Sequence, residues 1–225
     1  MDEQTNRIRD AVAGPAARLT RASEESARLH RREEFLADLR KHGNWLANGP
    51  AEPPAWVRPW NEYYEQLGKD PAYLALREEI TLARAALHSP EFEGAIELLR
   101  LGQPGQPADW AIAYLEADPW YFRSGYLKAS LSRWLRQVEL TEDQRQRLQA
   151  TILRNLPKGP RLDFTETRKL ARRLDTPAFR TELERLTNHR NSSTADRARR
   201  LLAACFLNDT PGRDLREASP LPDVG

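Results

Sequence analysis

Four histidines, one cysteine and the paired carboxylates are the first groups to weigh for metal, nucleophilic or acid–base chemistry. His30, His42, His88 and His189 stand in no HExxH stretch and in no Glu-x-x-His pair of the kind that holds two metals in a helical bundle. They read as surface or capping residues, and no metal or cofactor is expected. A ribonuclease-like arginine–histidine pair needs four to six intervening residues, whereas Arg84–His88 and Arg185–His189 have three. Glu33–Glu34 and Glu78–Glu79 are neighbours on helices, so their carboxylates diverge by about 100° and cannot converge on one substrate. The glycine-rich stretch from Leu101 to Pro107 lacks both the lysine and the preceding strand of a phosphate-binding loop. Cys205 shares the apolar side of its helix with Ala198, Leu201 and Leu202 and reads as core. No catalytic residue is assigned, and the chain is expected not to be an enzyme.

Binding chemistry is better represented. Arg168, Lys169, Arg172 and Arg173 lie opposite Phe164, Ala171 and Leu174 on one helix, and Arg197 and Arg200 lie opposite Leu201 and Cys205 on another. If these helices run parallel, the six cations form a ridge for phosphates or an acidic partner. Asp175, Glu182 and Glu184 interrupt the run. A helix-turn-helix over Lys169–Leu183 is disfavoured, because its turn holds Asp175-Thr-Pro rather than glycine and Thr181 falls where an apolar anchor belongs. Of the 18 aromatic residues, 12 fall between positions 56 and 126, in the acidic part of the chain. Trp and Tyr are favoured interface anchors. Trp56, Trp60, Tyr63 and Tyr64, beside a proline-rich loop, are the candidates for a protein contact surface.

The elements that must position these groups are helices. Val, Ile and Thr are scarce, no stretch alternates apolar and polar residues, and Ala, Leu, Arg and Glu dominate. Residues 3–46 predict a helix interrupted at Gly14-Pro15. A narrow stripe of Ile8, Val12, Leu19, Ala22, Leu29, Leu36 and Leu39 would pack it as a hairpin or along the body. The loop from Asn48 to Pro54 marks the main boundary. Beyond residue 58, Asp70-Pro71, Ser89-Pro90 and Asp118-Pro119 each read as an N-cap followed by proline at the first helical position. Thr141/Gln144 and Ser193/Asp196 resemble capping boxes, and Gly68, Gly105 and Gly159 read as helix stops. About nine helices of 8–20 residues follow. In the helix expected over 119–138, Trp120, Leu127, Leu131, Trp134, Leu135 and Val138 form one apolar stripe. Phe122, Tyr126 and Ala129 form a second, which predicts a helix covered on two sides.

Length and charge agree with a helical body. A chain of 225 residues with 40% hydrophobic and 30% charged residues has enough apolar surface for a core without disulfides. The lone cysteine suits a reducing compartment, no apolar run reaches membrane-spanning length, and the first residues carry no signal-peptide core, so a cytoplasmic location is expected. Charge is uneven: residues 51–120 sum to −7 and residues 121–207 to +10, against a net +2. Asp-Pro-x-Tyr-(Leu/Phe) occurs at Asp70 and Asp118, and a Thr-Pro-x-Phe start follows at Thr176. LDTPAFRTELERL followed by NSSTADRARRLLAACF resembles the two helices of a HEAT-type unit. The resemblance, over residues 70–207, implies an all-α, right-handed stack of antiparallel helix pairs used to bind something, and it carries no catalytic residue. The organisation expected is an N-terminal helical extension or hairpin over 1–48, a HEAT-like domain over 58–207 and a disordered tail over 208–225. The function expected is a non-catalytic protein-binding scaffold, adaptor or inhibitor of the immunity type. A nucleic-acid binder using the basic C-terminal half is the alternative. The sequence carries no signal of oligomeric state.

Overall fold

The computed structural model describes residues 3–31, 34, 35, 37, 38, 41, 55–158 and 163–206. His42, Glu33, Gly159, the proline-rich loop and the tail 208–225 lie outside the described residues. Among those described there are ten α-helices and no strand. They are α1 (Glu3–Leu29), α2 (Arg58–Leu67), α3 (Pro71–Leu87), α4 (Pro90–Arg100), α5 (Gln106–Ala117), α6 (Ser124–Leu135), α7 (Glu142–Asn155), α8 (Phe164–Arg173), α9 (Pro177–Thr187) and α10 (Ser192–Phe206).

Local chemistry starts most of them where expected. The Asp70 carboxylate accepts from the N–H groups of Ala72 and Tyr73, and the Ser89 and Thr176 hydroxyls accept from Phe92 and Phe179. Thr141 and Gln144 complete a reciprocal capping box. Each satisfies backbone donors that the first helical turn leaves without partners. Three expectations are corrected. Asn191, rather than Ser193, supplies the side chain that accepts from Thr194 N–H. Gly105 starts α5 instead of stopping α4, with φ +80° and ψ −130° that a side chain would strain. Asp118 starts no helix: it ends α5 in the left-handed region, and α6 begins only at Ser124.

α1 is also longer than the sequence suggests, running 27 residues straight through Gly14-Pro15. An internal proline costs a helix about 3 kcal/mol or more. Tertiary burial offsets this, because Ile8, Val12, Ala16 and Leu19 are buried against α3 and α5 within the same core as Leu99, Ile112, Leu131, Leu148, Leu183 and Leu201. Charge reinforces that packing. Glu116 on α5 accepts from Arg9 on α1 and from Arg147 on α7, and Arg147 also reaches Asp109 at 3.0 Å.

At the other end, α10 packs between α8 and α9. It runs antiparallel to α9, since Arg180 at the start of α9 sits over the Phe206 ring. It runs parallel to α8, where Cys205 Sγ–H points at Ala171 O, 3.8 Å away, and is fully buried.

Candidate functional site: an exposed aromatic turn

The connection between α5 and α6 concentrates features that packing alone does not call for. Phe122, Tyr126 and Trp120 expose 76%, 64% and 45% of their surface, within seven residues of one another. Phe122 and Tyr126, two of the three residues of the stripe expected to be covered, are therefore bare, and α6 is buried mainly through Ser124, Lys128, Leu131, Ser132 and Leu135.

The backbone of this turn is held in an unusual shape. Asp118 has φ +50° and Arg123 has φ +69°, two of only three non-glycine residues with positive φ among those described. An L-residue in that region costs about 1–2 kcal/mol, and such strain persists where the surroundings dictate it. Here four inward anchors do so. The Asp118 carboxylate accepts from Lys128 Nζ at 2.7 Å and Lys158 Nζ at 3.0 Å, with Lys128 only 4% exposed. Trp120 N–H donates to the Thr20 hydroxyl of α1 at 2.9 Å. The Tyr121 side chain points inward between the outward Trp120 and Phe122, and its N–H reaches Ser124 Oγ at 3.3 Å.

Tyr121 ends a hydrogen-bonded chain. Its hydroxyl lies 2.6 Å from that of buried Tyr114 and 2.9 Å from His88 Nε2, while His88 Nδ1 lies 2.7 Å from Glu93. With His88 neutral, Tyr114 donates to Tyr121, Tyr121 to Nε2, and Nδ1–H to Glu93, so every member is satisfied. Burial pushes the phenols of Tyr114 and Tyr121 above the ordinary range, Arg84 over the Tyr121 ring opposing it only in part. Both stay protonated at neutral pH and act as hydrogen-bonding anchors.

A cavity of about 50 Å³ lies behind the turn, bordered by Leu115, Lys128, Asn155, Asp163 and Arg197. Substrate-sized pockets run to hundreds of Å³. This one has room only for a small molecule of solvent dimensions, although the buried Asn155 Oδ1 has no hydrogen-bond partner among the described residues. Among the described residues no group of three His, Cys, Asp or Glu side chains is placed to hold a metal ion.

The residues singled out from the sequence lie elsewhere. Trp60 is on α2 and only 9% exposed. Its Nε1–H donates to Asp38 at 2.9 Å, it stacks on Tyr64, and Arg31 lies 5.4 Å from its ring centroid. The Tyr63 hydroxyl donates to Leu29 O, and Tyr64 to His30 O at 2.8 Å. The structure brings Trp60, Tyr63 and Tyr64 together as a clamp fastening α2 to the end of α1. Trp56 sits half-buried in the turn before it.

Four of the six candidate cations have acceptors close by. Lys169 bonds Glu166 of its own helix at 2.9 Å, and Arg173 donates to Val138 O, just beyond α6, at 3.0 Å. Arg197 turns to Leu156 O at the end of α7, and Arg200 pairs with Asp196 of its own helix. Arg168 and Arg172 are exposed. The helices are parallel, as a ridge requires, and four of the six head groups are engaged by acceptors close by.

The aromatic turn escaped sequence reading because Trp120, Tyr121 and Phe122 were placed on a helix. Three successive helical residues are about 100° apart, so even then all three could not have been covered by one neighbour. No protein-family model matches the chain, and no match is found among curated proteins or among solved structures.

Proposed function

We propose that this chain is a non-catalytic binding protein that docks another protein through the aromatic turn, its helices acting as a HEAT-like scaffold. The observation that carries this reading is the combination of three exposed aromatic side chains with a strained backbone anchored from inside. Exposed aromatic rings lose solvent favourably on contact and supply most hot spots of protein interfaces. A turn whose shape is already set loses little conformational freedom on binding, which favours affinity. Among the described residues, Phe122 and Tyr126 leave most of their surface outside the core. The lone buried Cys205 accords with a reducing, cytoplasmic setting.

In-cell photocrosslinking tests the reading. p-Benzoylphenylalanine replaces Phe122 in the full chain, and Leu101, a comparably exposed residue on the α4–α5 connection, in a second chain. A discrete protein adduct is expected at position 122, absent at 101, and lost when Trp120→Ala is added. Equal labelling at both positions, or none at 122, contradicts the assignment.

A further inference from the structure

The electrostatic surroundings of the aromatic turn specify what it docks. Between Pro119 and Val138 the chain carries Arg123, Lys128, Arg133 and Arg136 and no acidic residue. Lys128 is consumed by Asp118 in the interior. Arg123 lies over the exposed Phe122 ring, 5.1 Å from its centroid, and so stands at the turn itself. Arg133 follows Tyr126 by seven residues, two helical turns and about 10 Å along the same face. Its side chain is 53% exposed, and its nearest carboxylate, Glu166, is 3.9 Å away. Glu166 is already engaged by Arg136 at 3.0 Å and Lys169 at 2.9 Å, so three cations surround one carboxylate. On the opposite flank Arg84 covers Tyr121, and Glu93, hydrogen-bonded to His88, sets its negative charge against it, so that flank adds no excess of either sign.

The result is an apolar tract with Arg123 at one end and, at the other, Arg133 within a group of three cations around one carboxylate. We propose that the segment docking here is an acidic stretch of another protein, with one large apolar side chain seated on Phe122 and Tyr126 and carboxylates paired with Arg123 and Arg133. This rests on the docking function assigned to the turn. A single-stranded nucleic acid is the competing polyanion, since bases also stack on exposed rings. It needs a series of free cations along its backbone. Of the cations beyond Arg133, Arg136 and Lys169 are engaged by Glu166 and Arg173 by Val138 O and Glu139, while Arg168 and Arg172 lie exposed on the next helix. What projects furthest is aromatic surface, as at the centre of a protein interface rimmed by charge.

Selection of phage-displayed random peptides on the full-length chain, followed by fluorescence polarisation of the enriched peptides and of a labelled dT20 oligonucleotide, tests this. Enrichment of Asp- and Glu-rich peptides carrying an aromatic or large aliphatic residue is expected. Their affinity should fall about tenfold or more on Phe122→Ala with Tyr126→Ala, as for hot-spot rings. It should fall comparably on Arg123→Glu with Arg133→Glu, survive the corresponding Lys substitutions, and weaken as salt rises. All four positions are exposed, so unchanged thermal melts show that the variants remain folded. Neutral or basic peptides that still depend on Phe122 and Tyr126 overturn the acidic specificity while leaving the docking function intact. Absence of any peptide sensitive to those rings overturns both. Binding of dT20 as tight as that of the best peptide overturns the protein specificity in favour of nucleic acid.

Discussion

Glu116 receives four guanidinium N–H groups from two helices: Arg147 donates to its two oxygens at 3.0 and 2.9 Å, and Arg9 at 3.2 and 2.8 Å. This arrangement joins α1, α5 and α7 and sits two residues from the strained Asp118. Removing one partner of such a buried pair leaves the other charged and unpaired, which typically costs about 3–5 kcal/mol. Asp109 still serves Arg147, so Glu116→Ala is expected at the lower end, about 3 kcal/mol, in urea unfolding. A loss below about 1 kcal/mol would place the pair in the class of exposed ion pairs.

Acid should act through the same group. Burial alone raises the Glu116 carboxyl, but the hydrogen bonds from Arg147 and Arg9 win and hold it below the usual carboxylate range. Lys169, with Arg136 and Arg133, does the same for Glu166. A depressed folded-state value contributes stability above the unfolded value of about 4.3 and loses it as pH falls through the folded one. Thermal melts should therefore drop steeply below about pH 4 in the wild type. In Glu116→Gln the drop should be shallower from a lower starting stability. Parallel curves would show that Glu116 is not coupled to folding.

Alkali should destabilise by the opposite linkage. Tyr64, Tyr114 and Tyr121 all have phenols raised by burial. The folded state keeps these protons while the unfolded chain releases them near pH 10, so stability falls as pH rises beyond that point. Absorbance near 295 nm should show these phenols ionising only with unfolding, and early ionisation of all six tyrosines would contradict their burial.

Tyr121→Phe isolates the anchor beneath the turn. It leaves the buried Tyr114 hydroxyl without its acceptor and His88 Nε2 without its donor. A loss of about 1–3 kcal/mol is expected. Amide exchange over residues 119–124 should accelerate as the turn loosens. Unchanged exchange there would mean that Asp118 and Thr20 suffice to hold it.

Trp60→Ala and Phe122→Ala should separate stability from binding. Removing the buried Trp60 indole should cost about 3–5 kcal/mol, as for other core aromatics. Exposed Phe122 should alter the melting temperature little. The reverse ranking would place the docking rings at the α1–α2 clamp.

What the sequence determined by itself is the helical content and most helix starts. Asp70, Ser89, Thr141 and Thr176 cap backbone donors two or three residues away, and the Pro beside three of them acts on its own φ, so both effects are complete within a few residues. What only the tertiary structure decided depends on partners far along the chain. Pro15 remains helical because burial against α3 and α5 outweighs its local cost. Asp118 reads like a third N-cap, yet Lys128 and Lys158, ten and forty residues away, draw its carboxylate inward and turn its backbone left-handed. Trp60 reads as surface in the sequence and is covered by residues near the end of α1, whereas Phe122 and Tyr126 read as core and no helix among the described residues covers them. Apolar periodicity says which face of a helix is greasy, and only the arrangement of the neighbours says whether anything lies against it.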